Sequence, residues 1–224
     1  MALKNITVNT QSSIRIAGSK NLYFDPYLIQ NAVHDADLIF ITHEHYDHFE
    51  ADSIAKIKKD DTLLIVPKSM KKKALSESGI TPENCLFYQP GETHEAGGIV
   101  IETIPAYNKL KPFHTKGKKW MGYVVEMDSV RYYVAGDTDV NEDIKKVHCD
   151  VAMIPIGGFY TMDGKQAAEY IAQIKPKVAV PTHYGSIVGN KTDGQDFQKM
   201  LESLDDGIQV ELKLDGEERE RRIK

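Results

Sequence analysis

Cysteine is scarce in this chain: Cys85 and Cys149 are the only two among 224 residues. No disulfide framework can be built from them, and a reducing compartment is the simpler setting. Long apolar runs are lacking too. None approaches the roughly 18–20 residues of a membrane span, so no membrane partner is expected. The opening Met-Ala-Leu-Lys-Asn soon turns polar, without the apolar core of a signal peptide. Nor is positive charge in excess. Lys and Arg number 28 against 33 Asp and Glu, a net charge of −5. That removes the basic footprint of a general nucleic-acid surface and makes a nucleic-acid partner unlikely on composition alone. The 9 prolines and 16 glycines gather nowhere into a linker, and no internal repeat is visible. One domain over residues 1–224 is expected, soluble and cytoplasmic, with the 41% apolar and 27% charged content of an ordinary globular protein. Nothing in this composition sets an oligomeric state, and a homo-oligomer is compatible with it.

What is abundant is local. Thr42-His43-Glu44-His45-Tyr46-Asp47-His48-Phe49 packs three imidazoles and two carboxylates into six residues, directly after the apolar run Asp37–Ile41. Neutral imidazole and carboxylate suit zinc, manganese or iron. Placed just past a strand, they occupy the kind of loop where α/β sites are built. A polar loop of satisfied histidines would explain one or two such residues, but not this density.

Short β-type runs dominate the first part of the chain, at Ile6–Val8, Ser13–Ile16, Leu22–Phe24 and Leu38–Thr42. Helix is expected near Ala51–Lys58 and Ser69–Ser78, and strands at Leu63–Val66, Leu86–Tyr88, Ile99–Pro105, Gly122–Met127 and Val130–Ala135. After Asp137 helix and strand alternate. Helices are expected at about Asn141–Val147, Gly164–Ile174 and Gln195–Leu204, with strands at Val151–Ile156, Val178–Val180 and Ile208–Leu214. The charged tail Glu217–Lys224 is expected to fray. Hairpin-linked strands followed by strand–helix units suggest two mixed sheets with helices outside them.

Three more stretches end an apolar strand in a metal-type side chain. Arg131–Gly136 runs into Asp137, Lys177–Thr182 into His183, and Ile101–Tyr107 into Asn108, with His114 six residues on. Such strand ends can converge on one point only if their strands emerge at the same edge of the sheets. Gly136 and Gly185 fit, because tight loops let backbone close around a small site.

The pattern His43-x-His45-x-Asp47-His48, then Ala135-Gly136-Asp137 and Thr182-His183-Tyr184, resembles the metallo-β-lactamase superfamily over nearly the whole chain. Within it, Pro155–Met162 is similar to a segment of short metal-dependent hydrolases related to L-ascorbate-6-phosphate lactonases. The resemblance implies an αββα four-layer sandwich, an α/β fold of two mixed β-sheets with outer helices, and two divalent metal ions at one edge, zinc before manganese or iron. It places His43 and His45 on the first ion, Asp47, His48 and His183 on the second, and Asp137 between them. Superfamily members usually supply a third histidine to the first ion near Tyr107-Asn108. Asn108 departs from that pattern, so either His114 folds back to complete the set, the favoured reading, or Asn108 contributes its amide oxygen.

A two-ion site of this kind brings the pKa of a bridging water toward neutrality and polarises a carbonyl or phosphoryl oxygen, so no nucleophilic side chain is needed. The resulting hydroxide would attack an ester, lactone or phosphodiester. Asp47 is the candidate catalytic residue, accepting a hydrogen bond from the hydroxide and returning a proton to the leaving group. Asp25 and Thr182 are candidates for fixing imidazole tautomers, although for Asp25 a plain turn before Pro26 serves as well. Glu44 and Tyr46 alternate with the ligands and are expected to point away. His34, His94 and His148 are expected to be structural or superficial, and Cys149 to pack.

Lys109, Lys111, Lys116, Lys118 and Lys119 crowd one stretch of an acidic chain. They form either a solvated loop or a local positive field that attracts an anionic small-molecule substrate. Asn108, Lys116 and Tyr160 are the residues expected to touch that substrate. A metal-dependent nuclease and a non-catalytic metal-binding member are the competing readings. A redox member is disfavoured because His45 stands where redox relatives place a glutamate.

Overall fold

A computed structural model describes residues 4–214, so the charged tail Glu217–Lys224 lies outside the described residues. The chain forms two sheets. The first is ordered β1 (Ile6–Val8), β2 (Ile14–Ala17), β3 (Asn21–Phe24), β4 (Ala36–Phe40), β5 (Lys58–Pro67) and β6 (Cys85–Tyr88). The second sheet runs from β7 (Thr93–Ala96) through β8 (Ile99–Pro105), β9 (Met121–Met127), β10 (Val130–Val134), β11 (Val151–Pro155) and β12 (Val178–Thr182) to β13 (Gln209–Val210). Each sheet is antiparallel in its hairpin-linked half and parallel in its crossover half: β1 to β3 and β7 to β10 pair antiparallel, β3 to β6 and β10 to β13 parallel. Parallel neighbours need crossovers; helices supply four of them, while residues 25–35 between β3 and β4 hold no helix and residues 135–150 between β10 and β11 only one 3₁₀ turn.

Strand alternation separates two cores. Leu22, Phe24, Leu38, Phe40 and Ile65 face inward and share one cluster with Ile101, Tyr123, Val125 and Tyr133 of the other sheet. Their neighbours Tyr23, Ile39, Ile41, Leu64 and Val66 face outward, where they meet Ile54 and Ile57 of α1 (Ala51–Ile57) and Ala74 of α2 (Lys71–Glu77). This period-two switch is what a strand buried on both faces requires. On the far side of the second sheet, α3 (Gly164–Ile174) and α4 (Asp193–Leu204) bury Ala167, Ala168, Tyr170, Ile171, Phe197 and Leu201. An Asp163–Gln166 capping box starts α3 and Lys175 in the left-handed region ends it. The result is the αββα sandwich expected from the sequence. Three links tie the sheets near one edge: Tyr123 Oη donates to the Ile41 carbonyl at 2.6 Å, Met121 N to Thr42 O at 3.3 Å, and His183 N to Gln11 O at 3.0 Å.

Several elements differ from expectation. Asn141–Val147 holds only one 3₁₀ turn, Ile144–Lys146, because the Asn141 side-chain oxygen caps the backbone of Asp143 and Ile144 and Val147 is already extended. Strand β7 was not anticipated. The last strand pairs only over Gln209–Val210 rather than Ile208–Leu214. None of the helices in the described residues is long and apolar enough to cross a membrane.

Candidate metal centre

The polar loops meet at the edge where β4, β10 and β12 end. His43, His45, Asp47 and His48 follow β4, Asp137 follows β10, and His183 follows β12. His114 arrives on the connection between β8 and β9, with φ +53°. His183 has φ +55° and Asp25 φ +45°. Left-handed backbone at three non-glycine residues of one site is strain that the surrounding structure must hold in place. Gly136 meets a true steric need: with φ +64°, a Cβ there would lie 2.8 Å from Thr42 Cβ. The bare backbone lets the Asp137 loop close onto the histidine loop.

Three groups could hold a cation: His43, His45 and His114; His43, His48 and Asp137; and Asp47, His48 and His183. His45 Nδ1 lies 3.0 Å from His43 Nε2 and 3.2 Å from His114 Nε2. Zinc–nitrogen bonds of about 2.0–2.1 Å place the corners of a tetrahedron about 3.3 Å apart, so this spacing suits three nitrogens on one ion. Asp137 stands between the groups, with Oδ2 at 3.3 Å from His114 Nε2 and 3.2 Å from His183 Nε2, and Oδ1 at 3.4 Å from His48 Nε2. Asp47 Oδ2 lies 3.5 Å from both His48 Nε2 and His183 Nε2.

The protons show which nitrogens face a cation. Asp25 is wholly buried; it accepts from Thr42 N at 2.8 Å, Thr42 Oγ1 at 2.7 Å and His48 Nδ1 at 2.7 Å. Having donated its proton to Asp25, Thr42 Oγ1 can only accept from His43 Nδ1, 2.9 Å away. One carboxylate thus sets two tautomers, leaving the Nε2 lone pairs of His43 and His48 aimed at the centre. His48 Nε2, His183 Nε2 and Asp137 Oδ1 are buried without a hydrogen-bond partner. Buried lone pairs left this way are costly unless a cation or proton satisfies them. The donors therefore fit divalent ions. Thr42 holds an imidazole, the role the sequence suggested for Thr182, and Asp25 does more than shape a turn.

Charge is arranged to match. Burial lowers His43 well below the ordinary imidazole range, lowers His45, and takes His114 down to about 4. All three are neutral at pH 7, the form a metal needs. Burial also works against charge on His48 and His183. There Asp137 outweighs it, aided by Asp25 at His48 and by Asp47 at His183, so His48 is raised and His183 reaches about 10. For Asp137 burial opposes the anion, yet His183 and His48 hold it well below the usual carboxylate range.

The remaining residues sort clearly. Asn108 turns its amide nitrogen to the Tyr160 carbonyl at 2.6 Å and lies 3.5 Å from His114 Nδ1. It braces the loop with its Oδ1 buried and unpartnered, while the nitrogen grouped with those of His43 and His45 is that of His114. Neither Asn108 nor Lys116 lines the cavity above the centre. That cavity is walled by His45, Tyr46, Asp47, Phe113, His114, Asp137, Tyr160, His183 and Ile187. Lys116 instead reaches Asp143 at 3.4 Å and stacks over Tyr107. Tyr46, expected to point away, lines the mouth; Glu44 pairs with Lys118 at 3.4 Å. Trp120, unmarked by sequence reasoning, packs its buried ring 4.9–5.4 Å from those of His43, His45 and His114. Its place as the only tryptophan, just past the lysine-rich loop, was the available signal. His34 and His148 are exposed, and His94 stacks on Tyr88. Cys85 and Cys149 are free thiols, and burial pushes Cys149 up to about 12.

The chain belongs to the metallo-β-lactamase superfamily and is one of its metal-dependent hydrolases, residues 5–183 matching the family described as the β-lactamase superfamily domain. It is similar to a UPF0173 metal-dependent hydrolase of Thermococcus onnurineus, with 31% identity over 203 residues, 85% of this chain and 88% of that one. A second, from Methanopyrus kandleri, is 31% identical over 216 residues, 90% of this chain and 92% of its own. The metallo hydrolase Igni18 of Ignicoccus hospitalis shares the fold at a TM-score of 0.75 and 24% identity, covering 92% of this chain and 93% of that one.

Proposed function

We propose that the chain hydrolyses an ester, lactone or phosphodiester at a centre of two divalent ions, zinc first, with manganese or iron also accepted. His43, His45 and His114 would hold one ion, Asp47, His48 and His183 the other, with Asp137 shared. Ions bound there would make a water nucleophilic near neutral pH and polarise the substrate oxygen. Asp47 lines the cavity and is held below the usual carboxylate range, His183 and His48 outweighing its burial. One of its oxygens can take the proton of the attacking water and pass it to the leaving group. Tyr160 stands on the same wall, where its hydroxyl can donate to a substrate oxygen. Asp25 and Thr42 keep the imidazoles in the tautomers that this chemistry needs. The unpaired thiols accord with a cytoplasmic setting.

Four of the five lysines from which an anionic substrate was expected, Lys109, Lys111, Lys116 and Lys118, each pair with a carboxylate, which weakens the local positive field. The observation that carries the reading is the set of buried lone pairs at His48, His183 and Asp137, whose proton-bearing partners are already fixed on the His48 side. Metal analysis of the purified chain beside a His48→Ala variant tests it, together with hydrolysis of bis-p-nitrophenyl phosphate and a lactone panel. About two ions per chain are expected, with a clear loss in the variant; unchanged metal content there refutes the second-ion assignment.

A further inference from the structure

Resting on that hydrolytic reading, we propose that the site selects uncharged esters or lactones carrying an aromatic or comparably apolar group, seated against Phe113, Tyr160, Tyr46 and Ile187. Those four side chains wall the cavity above the polar floor of His45, Asp47, His114, Asp137 and His183. Tyr46 is 62% exposed, Ile187 42% and Phe113 39%, and Phe159 beside them is 67% exposed. Large apolar side chains are normally scattered singly on a surface, and several around one mouth mark a binding surface. Nor are the rings loose. Phe113 meets Tyr160 edge-on at 4.9 Å, Phe159 meets Tyr160 edge-on at 4.7 Å, and Phe113 lies 6.2 Å from Phe159. Offset and edge-on packing of this kind extends readily to one more ring.

Charge points the same way. Among the described residues, no Lys or Arg lines the cavity. On the same loop as Phe113, Lys111 is engaged with Asp139 at 2.5 Å and with the carbonyls of Gly158 and Thr161. Size is sufficient: the cavity is about 240 Å³, and an apolar cavity of about 150 Å³ accommodates benzene. A ring and one ester group fit; a polymer strand would have to lie outside.

The test uses the zinc-loaded full chain and three lactones that share one reacting ring: γ-phenyl-, γ-methyl- and γ-carboxy-γ-butyrolactone. Water opens each to the hydroxy acid, and a pH-stat reads the released proton. The phenyl lactone is expected to exceed the methyl one in kcat/KM by roughly tenfold or more, with the carboxy lactone below both. Phe113→Ala and Phe159→Ala should each narrow the phenyl-to-methyl ratio. A carboxy lactone cleaved as well as the methyl one, or a ratio unmoved in both variants, overturns the proposal. Binding of benzamide, acetamide and succinamate by calorimetry needs no turnover. Benzamide binding best, weakened in Phe113→Ala, upholds the selectivity even if no lactone is opened, in which case hydrolysis alone falls. Benzamide binding no better than acetamide overturns it. So does concentration-dependent dimerisation abolished by Phe159→Ser, which would assign the apolar rim to a protein contact.

Discussion

Asp25→Asn changes one buried atom and should disarm both triads that contain His43 and His48. The carboxylate accepts from Thr42 N at one oxygen and from Thr42 Oγ1 and His48 Nδ1 at the other. An asparagine can keep the first contact through its amide oxygen, but it then presents an NH₂ where two donors already point. His48 must accept at Nδ1 and carry its proton on Nε2. Thr42 Oγ1 must turn its proton to His43 Nδ1, so His43 also protonates Nε2. Both lone pairs aimed at the centre disappear, and with Asp25 fully buried no water can step in. Replacing a partner that orients a metal-binding imidazole costs about 10–100-fold in affinity, or about 1.4–2.7 kcal/mol per ion. The metal-free fold should lose about 1.5–3 kcal/mol from the broken charge-assisted contacts. Competition for zinc against a chromophoric chelator reads the first quantity, and urea unfolding of the chelated protein the second. Zinc affinity within about twofold of the parent, beside a clear loss of stability, would refute the tautomer argument and leave Asp25 a structural residue.

In metal-free protein, burial pulls His183 down but Asp137 and Asp47 outweigh it, raising it from 6.5 to about 10. A raised pKa contributes stability that is complete below 6.5 and lost as pH climbs through about 10, so Tm should fall across that window. Zinc displaces the same proton, so its affinity should rise about tenfold per pH unit for each proton released; a flat metal-free Tm would contradict the pairing. Lys111→Met frees the strap that carries His114 and should reduce metal content from about two ions per chain toward about one; unchanged content by elemental analysis would show that His114 needs no clamp. Gly136→Ala combines a φ of +64° with a Cβ 2.8 Å from Thr42 Cβ and should cost about 2–4 kcal/mol in urea unfolding. A loss below about 0.5 kcal/mol would mean that the loop yields freely.

Strand ends were legible because their causes are local. Leu38–Ile41, Val130–Val134 and Val178–Val180 are apolar runs closed by polar residues, and each hands its metal-type side chain to the same edge. The choice between Asn108 and His114 was not legible, since it depends on a left-handed turn at His114 and on the Tyr160 carbonyl that claims the asparagine amide. Strand β7, Thr-His-Glu-Ala, carries no apolar alternation and is a strand only because β8 pairs with it. The turn at Ile144–Lys146 looked helical because its apolar spacing is helical, whereas the side chain of Asn141 ends the run before a second turn forms. Lysine content suggested a field, but Glu44, Asp139, Glu142 and Asp143, distant in sequence, pair with four of those five lysines.

His43, His45, Asp47 and His48 leave the first sheet, while His114, Asp137 and His183 leave the second. Besides the hydrogen bonds at Tyr123, Met121 and His183, the Lys118–Glu44 pair and the Trp120 ring, the halves meet at this edge through those histidines and aspartates. An ion gripped from both sides is therefore a weld, doing in a chain of free thiols what a cystine does elsewhere, and its binding energy adds directly to folding energy. Copies synthesised while such ions are scarce would lack the weld and gape first at the rim that receives substrate. Proteases would find that opening, so the cellular lifetime of the protein, and not only its turnover of substrate, would track the supply of its ion.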